Sequence, residues 1–347
     1  MTDRITRLRD DLIAWFERHQ RDLPWRRRRD AYAVWLSEVM LQQTQVVTVV
    51  PYFERFLARF PTIADLAAAE LDEVLSMWSG LGYYARARNL HRAAGIMAQG
   101  GIPTRAVELR ALPGLGPYTA AAIASFAFGE AVPVLDGNVA RVLCRLEALE
   151  LPDDQNLPDL KQRAEVFLDR ARPGPFNEAM MELGALICVP GDPRCLVCPV
   201  AKHCRAHALG LEKRLPLARV RIEKKPLHLA CGVVRDGDEL LLIRRAEKGL
   251  FGGLWELPSV EVDPNAPTID VKRALQKIGL DARSAKPIAT VRRTLTHRLL
   301  TMALWDCVAT SKTAWREGRF VTEADWPTLG LSTAMRKALE KVTTATR

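Results

Sequence analysis

Two acidic residues stand where a carboxyl group could take part in acid–base chemistry. Glu38 lies among bulky apolar residues in YAVWLSEVMLQQTQVVTVV, whose pattern predicts one helix over 32–50. Burial there would raise the pKa of Glu38 and let it donate a proton near neutral pH. Asp136 precedes a predicted helix, where free amides and the helix dipole favour its ionised form. The ordinary alternatives are a solvated glutamate and an N-capping aspartate.

Asp136 lies near the end of a segment, 112–138, that begins with the glycine-rich turn LPGLGPYTA. Gly114 and Gly116 can adopt backbone angles closed to other residues, and Pro117 suits the first turn of a helix. The amides left free at such a helix N-terminus form a site for a phosphate group. An ordinary turn between two helices has the same sequence features, so both interpretations stay open at this point.

A cluster of cysteines is the third group with possible chemistry. Four of the seven cysteines lie in one loop, with six, two and five residues between them: Cys188, Cys195, Cys198 and Cys204. An odd total and this clustering favour a metal site in a reducing compartment over disulfides. Zinc and an iron–sulfur cluster both accept four thiolates, so the spacing leaves the metal open. We expect the nearby His203 and His207 at the surface.

Composition indicates a globular protein with a polyanionic partner. The 347 residues carry a net charge of +9 and are long enough for about two domains. Each phosphate that a basic surface neutralises releases counterions and strengthens binding. No apolar run approaches the roughly 20 residues that span a bilayer. The N-terminal segment reads as an amphipathic helix, which is unlike a signal or transit peptide.

Three polar or basic segments are candidates for nucleic-acid contacts. They are RDLPWRRRRD at 21–30, the glutamine-rich run at 42–45, and WSGLGYYARARNLH at 78–91. Arginines beside aromatic rings can hold phosphates while the rings stack on bases, and amide side chains suit base edges. The alternatives are a solvated charge run, a polar helix face and a helix–helix corner.

The pattern of apolar residues divides the chain into two domains. Up to about residue 215 it is helical, and a basic stretch with proline follows. Short β-rich runs come next, with a hairpin turn at 236–237; they cover 229–234, 239–244, 289–294 and 299–308, with helices at 269–278 and 332–342. We therefore predict an all-α domain at 1–215 with a cysteine loop at 188–204, a linker at 216–227, and a smaller α+β domain at 228–347.

The motifs RDLPWR, SEVMLQQTQV, GLGYYARARNLH, LPGLGPYTA and VLDGNVARVL, with the four-cysteine loop, resemble in order those of the adenine DNA glycosylases of MutY type, in the helix-hairpin-helix superfamily. The resemblance covers essentially the whole chain. It implies a DNA repair enzyme that excises adenine mispaired with 8-oxoguanine or guanine in double-stranded DNA. It also implies a [4Fe-4S] cluster on the four cysteines. We expect a monomer in the cytoplasm, associated with the nucleoid in a prokaryote.

The resemblance also implies roles for individual residues. Glu38 would protonate adenine at N7, and Asp136 would stabilise the sugar oxocarbenium ion and form a transient adduct. This division is chemically sound because a poor leaving group needs one protonated carboxyl and one ionised carboxyl. Adenine must also be flipped out of the duplex. Tyr118 and Asn138 would flank the sugar and hold Asp136. The base pocket would be lined or supported by Trp25, Arg26 and Glu178. The gap in the base stack would be occupied by Gln43 and Tyr83.

By resemblance, Tyr118 occupies the hairpin position at which the related endonuclease III enzymes have a lysine. The amine of that lysine forms a Schiff base with the sugar and cleaves the strand. A phenol cannot do so, which predicts base removal without efficient strand cleavage. Two alternatives remain: a glycosylase-lyase acting on oxidised pyrimidines, and a non-catalytic binder of damaged DNA.

The C-terminal domain resembles a Nudix fold, with GLFGGLWELP as its first signature. The positions expected to hold acidic metal ligands carry Arg273, Gln276 and Lys277, and cations cannot replace carboxylates around Mg²⁺. We therefore expect a domain that reads a base and hydrolyses no nucleotide. Leu295, Thr296 and His297 resemble the loop with which the family reads 8-oxoguanine, whose sequence is similar to Phe-Ser-His. The hydroxyl and the imidazole are kept here, and the aromatic ring is lost.

Overall fold

The computed structural model describes residues 2–154, 157–218, 223–310 and 318–344, so residues 219–222 of the predicted linker lie outside the described residues. The chain divides into two compact units. The first comprises Met1–Ala68 and Arg92–Val220, and the second comprises Ala69–His91 and Arg221–Arg347. Within the described residues, every helix is too short or too polar to span a bilayer.

Helices form the N-terminal part of the chain, as predicted. They are α1 (Thr2–His19), α2 (Pro24–Arg27), α3 (Ala31–Leu41), α4 (Val46–Arg59), α5 (Ile63–Ala68), α6 (Leu71–Met77), α7 (Ala85–Gly100), α8 (Ala106–Leu109), α9 (Pro117–Phe128), α10 (Gly137–Leu146), α11 (Pro158–Phe167), α12 (Pro173–Leu186) and α13 (Arg205–Ala208). One core cluster of the first unit joins α1, α10, α11 and α12 through buried apolar side chains.

The single helix predicted over 32–50 is wrong, because the structure divides it into α3 and α4. Gln43 has a φ of +56°, which is incompatible with a right-handed helix. The physical reason lies in burial. Residues 32–40 of α3 are buried on every side, whereas the polar run 42–45 is exposed or half-buried and has no apolar side to pack. The break leaves Gln43 and Gln45 exposed, while Gln42 donates to the Thr119 hydroxyl at 2.9 Å.

The turn before α9 forms as predicted at Gly114, whereas Gly116 has a φ of −74°, which any residue can adopt. Gly114 has a φ of +79°, and Pro117 occupies the first turn of α9. The middle of α9 is buried, which agrees with its small side chains, and the helix ends at Gly129 with a φ of +70°. The chain then returns through an extended segment to Asp136, the N-cap of α10.

The second unit contains two β-sheets. One sheet has the order β5 (Ser259–Glu261), β1 (Lys225–Val233), β8 (Arg298–Ala309) and β6 (Leu280–Ala282), with β7 (Ala289–Thr294) also paired to β8. The other contains β2 (Arg235–Asp236), β3 (Glu239–Arg244), β4 (Trp255–Glu256) and β9 (Gly318–Val321). Strands β1 and β8 are parallel, whereas β7 and β8 form an antiparallel hairpin.

Two helices complete the α+β architecture predicted for this part of the chain. α15 (Thr333–Thr344) shares a buried apolar cluster with one face of the first sheet, through Leu227, Leu300 and Leu339 among others. α14 (Thr268–Lys277) shares a separate cluster with the other face, through Ala230, Leu275 and Trp305. Each helix therefore buries an apolar stripe against one side of the sheet.

Residues 69–91 fold with the second unit, although they lie within the part of the sequence assigned to the helical domain. The hydroxyls of Ser79 and Tyr84 both donate to the carbonyl oxygen of Leu331, at 3.0 and 3.1 Å. Trp255 Nε1 donates to Asp72 at 3.3 Å. Polar contacts spread along the segment therefore attach it to residues far away in sequence.

Gly184 of α12 offers a test of the close packing between α12 and α10. A Cβ atom at Gly184 would lie 2.7 Å from Cβ of Asn138, a distance that real Cβ atoms do not tolerate. We expect Gly184→Ala to lower the free energy of unfolding by about 1–3 kcal/mol, because the helices must separate. Chemical denaturation measures this loss.

The matched control is Gly95→Ala in α7, where the added Cβ has no neighbouring heavy atom within 4 Å. This change should be neutral or stabilise the protein by up to about 1 kcal/mol, since alanine favours a helix interior over glycine. Equal stability of the two variants would contradict the proposed steric conflict at Gly184.

Candidate active site

A cavity of about 710 Å³ in the first unit is lined by both Glu38 and Asp136. The sequence-predicted residues that line it with them are Trp25, Arg26, Tyr118, Asn138 and Glu178. A neighbouring groove of about 930 Å³ is also lined by Glu38 and Asp136, together with Gln43, Gly114 and Gly116. Folding thus brings together side chains that lie up to about 150 residues apart in the sequence.

Glu38 is buried, with 5% of its surface exposed, because α3 is packed on all sides. Burial raises the pKa of Glu38 to about 7, and the negative charges of Asp136 and Glu178 add to this rise. A hydrogen bond from the Tyr118 hydroxyl to Glu38 Oε2, at 2.8 Å, acts in the opposite direction. The carboxyl group can therefore hold or release a proton near neutral pH.

Tyr118 projects from the start of α9 and its hydroxyl contacts Glu38. The family resemblance implied a position beside the sugar and Asp136, whereas in the structure the Tyr118 hydroxyl donates to the other carboxyl group. Burial and the neighbouring carboxylates raise the pKa of Tyr118 well above its usual value. Tyr118 therefore remains a neutral phenol that donates a hydrogen bond.

Asp136 is held at the N-terminus of α10 through both carboxyl oxygens. Oδ1 accepts from the amide of Val139 at 2.7 Å, and Oδ2 accepts from Nδ2 of Asn138 at 2.8 Å. We expected the helix terminus to keep the pKa low. Burial in the cavity wall instead raises the pKa of Asp136, although these hydrogen bonds and the charge of Arg141 oppose the rise. Desolvation outweighs capping here.

Arg26 is fixed in the cavity wall by two glutamates of α12. It donates to Glu182 at 3.1 Å through both Nη atoms and lies 3.4 Å from Glu178. Burial acts to raise the pKa of Glu182, but hydrogen bonds from Arg21 and Arg26 hold it at about 2. For Glu178, burial raises the pKa despite Arg29 and Arg26.

Sequence reasoning missed Glu182, the buried partner of Arg21 and Arg26. Its position four residues after Glu178 on a helix places both carboxyls on one helix face, and this spacing was the available signal. The basic segment 21–30 is thus only partly solvated, because Arg21 and Arg26 enter a buried ion-pair network. Trp25 of the same segment is buried against Phe53, with ring centroids 5.4 Å apart.

Gln43 and Tyr83 both adopt left-handed backbone conformations, with φ values of +56° and +49°. Non-glycine residues in this region carry a cost on the order of 1 kcal/mol, and such residues concentrate at functional sites. Both side chains are exposed, Tyr83 by 41%. Each is therefore held in a costly conformation that its own burial does not explain.

Leu295, Thr296 and His297 form the turn between β7 and β8, closed by the Leu295 amide donating to the Arg298 carbonyl at 2.9 Å. Leu295 packs against the core of the second unit, while Thr296 and His297 are exposed. The hydroxyls of Tyr83 and Thr296 are hydrogen-bonded to each other. Two candidate DNA-binding residues from separate motifs are therefore in contact within the second unit.

The four cysteines line one small cavity with Arg145, whose Nη1 donates to Sγ of Cys188 at 3.2 Å. Burial raises the pKa of Cys198 to about 12, so a bound cation is needed to keep this sulfur as a thiolate. His203 is buried and contacts Asp11 at 2.8 Å, so the expectation of a surface position was wrong for this residue. The interaction with Asp11 of α1 accounts for its burial.

Among the described residues, one group of three metal-capable side chains has ligand atoms within 4.8 Å of one another: Cys195, His207 and Glu212. No three of the cysteine sulfurs in that part of the chain meet this limit. His207 was not proposed as a ligand from the sequence, and the structure places it beside one of the four cysteines.

Comparison with known proteins agrees with this architecture. Residues 36–162 match the HhH-GPD superfamily of base excision DNA repair proteins, and residues 230–341 match the NUDIX domain. A thermostable thymine-DNA glycosylase has a similar fold, with a TM-score of 0.55 and 26% identity over 60% of this chain and 98% of that one. The fold and the site thus define a helix-hairpin-helix enzyme of base excision DNA repair.

Two relatives make the assignment more specific. The adenine DNA glycosylase of Homo sapiens is 37% identical, over 96% of this chain and 73% of the human protein. That of Arabidopsis thaliana is 40% identical, over 78% of this chain and 50% of the plant protein. The chain belongs to the adenine DNA glycosylase family.

The raised pKa of Glu38 predicts a stability effect that can be measured without substrate. A carboxyl group with a pKa of about 7 in the folded protein and an ordinary value when unfolded costs stability as pH rises from about 4.5 to 7. Glu38→Gln removes this cost. We compare the free energies of unfolding of Glu38→Gln and of the wild type by chemical denaturation. The difference, variant minus wild type, should increase by up to about 3 kcal/mol from pH 5 to pH 8.

Glu182→Gln is the control, because the pKa of Glu182 is shifted in the opposite direction, to about 2. Its ionised form is the stabilised one at both pH values, so this variant should be less stable than the wild type throughout. A stability difference between wild type and Glu38→Gln that does not change with pH would show that Glu38 has an ordinary pKa.

Proposed function

We propose that this enzyme releases adenine from mispairs with 8-oxoguanine or guanine in double-stranded DNA, by acid-assisted cleavage of the N-glycosidic bond. The observation that carries the proposal is the cavity with two different carboxyl groups. Glu38 has a pKa near 7, and Asp136 accepts a hydrogen bond at each oxygen. The enzyme acts as a monomer in the cytoplasm, on the DNA of the nucleoid in a prokaryote.

The chemical step begins when Glu38 gives its proton to N7 of the flipped adenine. The bond between the base and C1′ then breaks, its electron pair leaves with adenine, and positive charge develops on the sugar. Asp136 stabilises this charge and forms a transient bond to C1′. Water then displaces the carboxylate and loses a proton, which leaves an abasic site. Tyr118 orients Glu38, and Asn138 with the Val139 amide orients Asp136.

Flipping leaves a gap in the duplex and needs a pocket for the base. Trp25, Arg26 and Glu178 line the cavity beside Glu38 and form this pocket. Gln43 and Tyr83 fill the gap, and their left-handed backbones support this role, because such strain is retained where function needs it. The amides that follow Gly114 and Gly116 at the start of α9 contact a backbone phosphate.

The enzyme removes the base without efficient strand cleavage. Schiff-base chemistry needs an amine at the sugar, and the side chain that α9 contributes to the cavity wall is Tyr118, a phenol without an amine. A phenol with a raised pKa also stays protonated, so it does not compete with Asp136 as a nucleophile.

The second unit reads the base opposite adenine through Leu295, Thr296 and His297. The exposed side chains of Thr296 and His297 supply the hydrogen-bonding groups, and Leu295 anchors the turn in the core. The unit hydrolyses no nucleotide, because α14 carries Arg273, Gln276 and Lys277 where metal-binding acids would stand.

The cysteine loop holds a [4Fe-4S] cluster through Cys188, Cys195, Cys198 and Cys204. A single zinc ion with four thiolates needs sulfurs about 3.8 Å apart, since Zn–S bonds are about 2.3 Å long. The wider spacing of the described sulfurs favours a larger cluster. Arg145 is 2% exposed and donates to Cys188 Sγ, which places a buried positive charge beside the anionic thiolates.

A panel of duplexes tests the proposed activity. Adenine is placed opposite 8-oxoguanine, guanine or cytosine, and each product is analysed with and without alkali. We expect release opposite 8-oxoguanine and guanine, and strand breaks only after alkali. Glu38→Gln should slow release by about 10²–10⁴-fold, because general acid catalysis is lost. Asp136→Asn should abolish release, and DNA binding should be retained in both variants.

The control is Glu17→Gln on the exposed side of α1, which should behave as the wild type. Nicked strands before alkali at the rate of base release would overturn the assignment of Tyr118. Release of oxidised pyrimidines would favour a glycosylase-lyase, and binding without release of any base would favour a non-catalytic damage binder.

His297→Ala tests the reading of the opposite base. We expect a smaller preference for 8-oxoguanine over guanine opposite adenine, since a hydrogen-bonding group is removed from the turn, with adenine release itself retained. Relative rates on the two duplexes measure the preference. Lys286→Ala, at an exposed position outside the turn, is the control. An unchanged preference in His297→Ala would contradict the assignment.

A further inference from the structure

Three basic residues lie on one face of the first sheet, at the end that carries the turn between β7 and β8. Lys225 of β1 pairs with Arg298 of β8, and Arg293 of β7 pairs with Leu300. Paired residues share a face, and so do alternate residues of a strand. Lys225, Arg293 and Arg298 therefore form one group, named here the basic edge patch.

The basic edge patch begins where the apolar core ends. Leu227 and Leu300, which follow Lys225 and Arg298 by two residues, are both buried beneath α15. Lys225 and Arg298 are exposed, whereas Arg293 is half-buried. The strands thus change from a packed apolar row to a solvent-facing cationic row within one alternation.

The positive charges of the patch have no partner within the part of the chain that the structure describes. No carboxylate among those residues forms an ion pair with Lys225, Arg293 or Arg298. Nε of Arg293 is buried and meets no hydrogen-bond acceptor there. Like charges on paired strand positions repel, and a buried donor without an acceptor costs stability. An anionic partner would remove both penalties.

We propose that the basic edge patch binds backbone phosphates of the DNA strand that carries the base opposite the target adenine. This inference rests on the proposed reading of that base by Thr296 and His297. Arg298 follows His297 directly, and the amide of Lys225 donates to the carbonyl oxygen of His297 at 3.2 Å. A base held at the turn therefore brings the phosphates of its own strand next to these side chains.

The chemistry of the patch suits phosphates and assigns it a role different from that of the turn. Guanidinium groups bind phosphate oxygens in pairs, and a lysine acts as a point charge beside them. Phosphate contacts fix the position of a protein on DNA and carry no sequence information. The patch therefore supplies affinity and register for any opposite base, while Thr296 and His297 supply discrimination.

The salt dependence of binding tests this inference. The probe is a duplex with 2′-fluoro-2′-deoxyadenosine opposite 8-oxoguanine, since the fluorine on the sugar disfavours positive charge there and prevents excision. For Lys225→Gln/Arg298→Gln, the slope of log K against log salt concentration should become shallower by about 2, at roughly 0.9 for each lost phosphate contact. The ratio of affinities for 8-oxoguanine and guanine duplexes should stay unchanged.

Two further double variants complete the experiment. Arg273→Gln/Lys277→Gln removes the same charge from α14, which covers the other face of the sheet, and should keep the wild-type slope. Lys225→Arg/Arg298→Lys keeps the charge of the patch and should also keep the slope. A wild-type slope in Lys225→Gln/Arg298→Gln, or an equal change in the α14 variant, would overturn the inference.

The two proposals can fail separately. If the wild type releases no adenine from an unmodified mispair, the proposed function fails, whatever the slopes show. If the wild type releases adenine and the neutral patch variant binds with an unaltered slope, only the role of the basic edge patch is rejected.

Discussion

The burial of Glu38 is the constraint on which the candidate site depends. Its pKa of about 7 follows from a helix that is packed on every side, and the hydrogen bond from Tyr118 reduces the shift without cancelling it. The same cavity contains Glu182, whose arginine partners hold its pKa at about 2. Two glutamates in one cavity thus differ by their neighbours alone, which is how a protein assigns opposite protonation states to identical side chains.

Asp136 shows how one residue can serve folding and the site together. It caps α10 through the Val139 amide, and the same carboxyl group faces the cavity. Asn138 joins it to Arg141, whose guanidinium also reaches the Gly184 carbonyl at 2.8 Å. The position of the carboxylate therefore depends on the close contact between α10 and α12, where only glycine fits at 184.

The segment 69–91 joins two parts of the sequence that family comparison separates. It lies inside the region that matches the base excision superfamily, yet it folds with the residues that match the NUDIX domain. Through this segment, Tyr83 meets Thr296 at the turn between β7 and β8. A residue proposed to enter the DNA stack and a residue proposed to read the opposite base are thus in direct contact within the second unit.

Local patterns in the sequence determined much of this protein. Apolar neighbours indicated the burial of Glu38, Asp-Gly at 236–237 predicted a hairpin, and the β-rich runs at 239–244 and 289–294 match β3 and β7, because these features depend on residues close in sequence. Only the tertiary structure decided the break between α3 and α4, the contact of Tyr118 with Glu38, and the ion pairs of Glu182. The contact of Tyr118 and the ion pairs of Glu182 join residues roughly 80 to 160 positions apart, and the break follows from how deeply α3 is buried, so no local pattern encodes them.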